Sequence, residues 1–171
     1  MRRIALSTRP GPLAAAALFL LLSLSAPAGV NADPPLAASF ELPTRTGTVA
    51  LAALRTKVVL VDFWASWCAP CRQSFPWLST MSERYAENGL VVVAINLDKD
   101  RDLAQAFLRQ LSPPFIVAFD PAGKTAEAFA VTAMPSSFLV SRTGRLVYSH
   151  PGFDLRDAGT IEKQIQEELS K

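Results

Sequence analysis

Cysteine and histidine are scarce in this chain. Of 171 residues, two are cysteine (Cys68 and Cys71) and one is histidine (His150). A closed zinc site takes four ligands of these kinds. With no second cysteine pair and with His150 far off in sequence, the chain does not supply such a set. An excess of charge is missing as well. Lys and Arg number 17 against 15 Asp and Glu, a formal net charge of +2 with scattered basic residues, which argues against nucleic acid as a partner. There is no repeat and no low-complexity tract, and no apolar run reaches the ~20 residues of a membrane-spanning helix. At 50% hydrophobic residues the chain is neither disordered nor collagen-like, and one compact domain is the natural expectation.

The N-terminus stands apart from that domain. Arg2, Arg3 and Arg9 precede the apolar run "LAAAALFLLLSL" (13–24), and the small residues of "SAPAGVNA" follow. These are the n-, h- and c-regions of a secretory signal over residues 1–32, with cleavage expected after Ala28 or Ala32. An uncleaved membrane anchor is the alternative. No cysteine follows the run, which excludes bacterial-type lipidation, and Arg2-Arg3 lacks the rest of a twin-arginine pattern, so Sec export to the periplasm is expected. Residues 33–38 read as a short linker and residues 39–171 as the folded domain.

Within that domain stands "WASWCAPC" (64–71). An oxidising compartment favours a disulfide between two such cysteines. As a staple the bond is poorly placed, because closing a ring of four residues removes only about 2 kcal/mol of unfolded-chain freedom, against ~3 for fifteen. Reversible redox exchange suits the spacing best.

Strand and helix patterns alternate around the pair. "SFELPT" and "GTVALAAL" read as an edge hairpin, and "KVVLVDFW" (57–64) as a central strand buried on both faces. A helix is expected from about Cys68 to Asn88, stopped by Gly89. "LVVVAINL" (90–97) is a second buried strand. A helix over "RDLAQAFLRQL" shows Leu103, Phe107 and Leu111 at helical spacing, and the strand "PFIVAFD" (114–120) and the short helix "TAEAFA" come next. "SSFLVSRTGRLVYS" (136–149) reads as two strands about a Thr143-Gly144 turn. The final helix, 158–169, carries Ile161, Ile165 and Leu169 on one face. The fold class is α/β, a mixed sheet covered by helices.

"VVLVDFWASWCAPC", "AMPSSFLV" and "GRLVYSHPGF" resemble the active-site strand and turn, the proline loop and the closing hairpin of the thioredoxin superfamily. The resemblance covers the chain from about Ser39 onward. The N-terminal β-hairpin and the inserted helix-strand unit between Asp100 and Asp120 resemble the TlpA/ResA branch, exported bacterial thiol–disulfide oxidoreductases. The resemblance implies a thioredoxin-like fold and a disulfide reductase that needs no cofactor. It also implies protein substrates with cysteines, a membrane thiol-reductant donor and a monomer.

On that reading Cys68 sits at the first helical turn, where unpaired N–H groups and the helix dipole favour a thiolate. Cys68 is then the exposed nucleophile and the more buried Cys71 the resolving thiol. Ala69 and Pro70 set the poise of the couple. Asp62 interrupts a buried strand, so its pKa is expected to be raised, and it can relay a proton to or from Cys71. It matches the buried aspartate of thioredoxins, unless strand-end twist exposes it. Trp67 is expected over the active-site turn, in a packing or a substrate-contact role, and Trp64 in packing. By resemblance Pro135 is cis and lies against the cysteines, leaving the Met134 backbone to pair with an extended substrate. Pro76 is expected to kink the helix.

Two positions, Ser74 and Ala94, depart from relatives of this kind, and Arg72 flanks the site. Ser74 stands where many ResA-like proteins carry an acid, and Ala94 replaces the lysine beside the buried aspartate of many thioredoxins. Arg72 either favours the Cys68 thiolate or is simply solvated. Net reductase is the expected direction. A net oxidase, or a copper metallochaperone like Sco proteins that would need His150, are the alternatives.

Overall fold

The computed structural model describes residues 33–171. The signal region expected over 1–32, with its cleavage points, lies outside the described residues. A seven-residue strand, β3 (Val58–Trp64), is buried at every position and forms the middle of a five-stranded sheet. Parallel to it runs β4 (Leu90–Asn96), followed outward by β5 (Ile116–Phe119); on the other side lie β6 (Ser136–Val140) and β7 (Leu146–Pro151), each antiparallel to its neighbour. Continuous Val/Ile/Leu runs in β3 and β4 are what a strand covered on both faces requires.

The pleat divides β3 between two apolar clusters. Val58, Leu60 and Trp64 join Cys71, Phe75 and Leu78 of α1 (Ala69–Tyr85), Phe107 of α2 (Arg101–Leu111) and Ile161 and Ile165 of α4 (Ala158–Leu169). Val59, Val61 and Phe63 point the other way, to Phe40, Val49, Phe129 and Phe138. Asp62 falls in the first set by alternation, and its register neighbour Ala94 lies in that same cluster.

The expected hairpin is present as β1 (Glu41–Pro43) and β2 (Thr48–Ala50), and a bridge from Thr44 to Ala118 lays it against β5. Its second arm is shorter than "GTVALAAL" suggested, since Leu51–Leu54 tightens into a 3-10 turn. The short helix α3 (Lys124–Ala128) follows β5. Residues 34–37, read as a linker, are tied to the β6–β7 turn. Ala37 N–H donates to Gly144 O (2.9 Å), Leu146 N–H to Pro35 O (2.8 Å) and Arg145 Nη1 to Pro34 O (2.6 Å).

Two further expectations are corrected. The buried face of α2 is Ala104, Phe107 and Leu108, and Leu103 is 53% exposed. Phe107 decides the rotation, because its ring packs against Trp64 and Phe75 with centroids 4.7 and 5.0 Å away. The helix α1 ends at Tyr85, three residues before Asn88, and Gly89 takes a left-handed φ of +94° in the turn that follows.

Candidate functional site

At the C-terminal end of β3 the chain turns through Ala65–Trp67 and enters α1 with Cys68 as its N-cap. Cys68 and Cys71 form a disulfide, with Cα atoms 5.3 Å apart. The Cys71 backbone N–H donates to Cys68 Sγ at 3.2 Å, so the sulfur occupies the place of an N-cap acceptor. Pro70 lies in the first turn, where a missing N–H costs nothing. A thiolate at Cys68 would keep that N–H bond and the positive end of the helix dipole.

Exposure of Cys68 is smaller than expected. It is 5% accessible against 0% for Cys71, with the bridge closed. Both cysteines are buried in this bridged form, so the exposed position expected for Cys68 is not seen.

Asp62 is fully buried, so strand-end twist does not expose it. Ser137 Oγ donates to its Oδ1 at 2.7 Å, and its Oδ2 has no partner. Burial pushes the carboxyl up to about 7, with the Ser137 hydrogen bond partly opposing. Asp62 shares its face of the sheet with Leu60 and Trp64, in the cluster that contains Cys71. Ala94 and Ser137 flank it in register on β4 and β6, so no cation is adjacent there.

The Met134–Pro135 bond is cis. Met134, with Trp67, Cys68, Ala69, Pro70, Leu97, and residues of the 126–133 segment, lines an open groove of about 530 Å³ whose walls bear no charged side chain. Trp67 is 69% exposed and forms a wall of the groove instead of packing down over the turn. Trp64 is buried, 4.8 Å from Phe75 and 4.7 Å from Phe107, as its packing role requires.

Arg72 is engaged away from Cys68. Its Nη1 donates to Gln110 Oε1 (2.9 Å) and its guanidinium lies 4.6 Å from the Phe107 ring. Ser74 is buried and donates its hydroxyl to Cys71 O (3.1 Å). Pro76 lies within α1. His150 sits on the edge strand, with Nε2 3.3 Å from Asp157 Oδ2 and Nδ1 3.4 Å from Tyr148 Oη. Among the described residues no group of three or more His, Cys, Asp or Glu is arranged to hold a metal ion.

Two residues escaped the sequence reading. Ser137 is one. The other is Asp98, 4% exposed, whose Oδ2 accepts from Ser66 N–H (2.9 Å) and Asn96 Nδ2 (2.8 Å) while its Oδ1 accepts from Ser66 Oγ (2.9 Å). This fixes the loop just before Trp67 and Cys68. A signal was present in "INLD", polar residues at the carboxyl end of an apolar strand, where sites in such sheets gather.

A family model described as Redoxin matches residues 26–165. The thiol:disulfide interchange protein CycY of Rhizobium leguminosarum bv. viciae is 36% identical over 125 residues, 72% of this chain and 63% of that protein. The thiol-disulfide oxidoreductase ResA of Bacillus thuringiensis subsp. konkukian (strain 97-27) is 27% identical over 123 residues, 72% of this chain and 68% of that protein. Among solved structures, one from Chlorobium tepidum, provisionally described as thiol:disulfide interchange protein DsbE, has a TM-score of 0.78 at 46% identity, covering 80% of this chain and 96% of that one. The thioredoxin-like fold expected from the three motifs is thereby met.

Proposed function

The chain belongs to the Redoxin family and is a thiol–disulfide oxidoreductase of the ResA, CycY and DsbE type; from that premise we propose that it works in the periplasm as a net reductant of disulfides in other proteins. The signal grammar of residues 1–32 supports export. The observation that carries the chemistry is the Cys68–Cys71 bridge at a helix N-cap, beside an uncharged groove and on the sheet face of a buried carboxyl with one unpaired oxygen.

The reduced protein begins the cycle. The Cys68 thiolate attacks one sulfur of the client disulfide, forming a mixed disulfide and expelling the other client sulfur as thiolate. Cys71 gives its proton to Asp62 Oδ2 and attacks Cys68 Sγ, which expels the second client sulfur. Two electrons leave the dithiol, the client gains two thiolates, which take up protons from solvent, and the Cys68–Cys71 bridge re-forms. Asp62 suits this step because its pKa of about 7 lets it take or give a proton near neutrality. Met134, ahead of the cis Pro135, offers its backbone to an extended client segment, and Trp67 supplies an exposed aromatic surface beside it. A membrane thiol-reductant donor resets the bridge. The engagement of His150 by Asp157 and Tyr148 favours this dithiol role over a copper-handling one.

Cys71→Ala tests the cycle, since it stops the second attack and leaves the client on Cys68. Covalent adducts that dithiothreitol releases, and that Cys68→Ala abolishes, are the expected result. No adduct with reduced Cys71→Ala and a disulfide-bearing protein client would remove Cys68 from its role.

A further inference from the structure

The two oxygens of the Asp62 carboxyl are not equivalent: Oδ1 accepts from Ser137 and Oδ2 has no partner. Asp62, Ser137 and His150 occupy one cross-strand row, since Asp62 pairs with Ser137 and Ser137 with His150. Residues directly opposite in adjacent strands present their side chains on the same face. Ser137 is 1% exposed and Asp62 fully buried, and the 2.7 Å hydrogen bond between Ser137 Oγ and Asp62 Oδ1 joins two groups with no access to water. In a carboxylic acid one oxygen carries the proton and the other only accepts. A hydroxyl donating to Oδ1 makes Oδ1 the accepting oxygen, so the acidic proton resides on Oδ2, the atom without a partner.

We propose that Ser137 is the positioning residue of the proton transfer: its hydroxyl holds Asp62 Oδ1 and so dedicates Oδ2 to exchange with Cys71. Ser137 touches neither client nor sulfur and acts through Asp62. The inference rests on the reading of Asp62 as proton partner of Cys71. The groups around the carboxyl make the hydroxyl decisive. Flanking it in register are Ala94 on β4 and Ser137 on β6, and α1 packs Cys71, the titratable side chain it gives to this cluster, and Phe75 onto the same face of the sheet. Packed into the same cluster, α4 contributes the apolar Ile161 and Ile165. His150, one strand further out, is held by Asp157 and Tyr148. With the bridge closed, burial and then the Ser137 hydroxyl act on this carboxyl. Of the two, only the hydroxyl favours the charged form.

The test follows single-turnover reduction of insulin disulfides by the reduced full chain against pH, for wild type, Ser137→Ala, Ser137→Thr and Asp62→Asn. Ser137→Ala should move the inflection near neutrality upward by about one pH unit, since a hydrogen bond to a charged group is worth roughly a tenfold change in equilibrium. The rate at pH 7 should fall several-fold, and Ser137→Thr should restore both. Asp62→Asn should abolish the inflection. A second readout is independent of activity. The infrared C=O band that Asp62→Asn deletes at pH 5 should move to higher wavenumber in Ser137→Ala, because its oxygen loses its donor. A Ser137→Ala profile that superposes on wild type, while Asp62→Asn changes it, overturns the inference and spares Asp62. An unchanged Asp62→Asn profile removes the reading beneath it.

Discussion

A carboxyl with no access to water is costly to ionise, and Asp62 makes that cost a function of pH. Its folded pKa of about 7 lies above the 3.8 of an unperturbed aspartate. Between those values the native carboxyl binds more protons than the unfolded one, so the stability this group contributes is fully present below about pH 4 and is lost as pH rises through 7. At about 1.36 kcal/mol for each pH unit of difference, the loss approaches about 4 kcal/mol. Guanidinium unfolding of the oxidised protein at pH 5 and pH 8 should show it as a lower midpoint at pH 8. Asp62→Asn should flatten the difference; a variant that keeps the wild-type slope would mean that the carboxyl is hydrated or paired. The same energy makes Asp62 useful, because an acid held near neutrality exchanges its proton readily with a thiol.

At the scale of the element, the loop between β3 and α1 is held from outside itself. Asp98 sits just beyond β4 and collects the Ser66 N–H, the Ser66 hydroxyl and the Asn96 amide. Asp98→Ala leaves those donors without their acceptor, a cost of about 3 kcal/mol for bonds to a charged group. Denaturation should report the loss, and the Ser66 amide should exchange with solvent faster than the amides of β3. Unaltered exchange at Ser66 would show that the loop stands without the clamp. These two residues lie 32 apart, which is why only part of the site was legible. The cysteine pair, the interrupted strand and the buried runs of β3 and β4 are local patterns, and the residues state them. Ser137 meets Asp62 across 75 positions, through a strand register that no local pattern specifies. The isomer of Met134–Pro135 is similar, since cis and trans differ by only ~0.5–1 kcal/mol and its surroundings choose. In α2, spacing alone suited Leu103 as well as Ala104, and the aromatic contacts of Phe107 decided between them.

The whole molecule ties redox direction to folding. Oxidation, reduction, folding and unfolding form a closed cycle, so a fold that is more stable with the bridge closed than open holds its disulfide more tightly than the unfolded chain does. Each 1.4 kcal/mol of that difference lowers the reduction potential by about 30 mV. A net reductant therefore needs the oxidised form to be the more stable one. Little of the fold's stability is owed to the bridge. The bridge closes a ring of four residues and contributes only about 2 kcal/mol through the unfolded state, while both apolar clusters pack around β3. Denaturant melts in matched buffers, with and without dithiothreitol, should each show one cooperative transition, with the higher midpoint for the oxidised chain. The reversed order would make the protein an oxidant of thiols and leave the site geometry as it stands. Loss of the transition on reduction would make the bridge a staple and end the redox assignment, because an electron store has to survive being emptied.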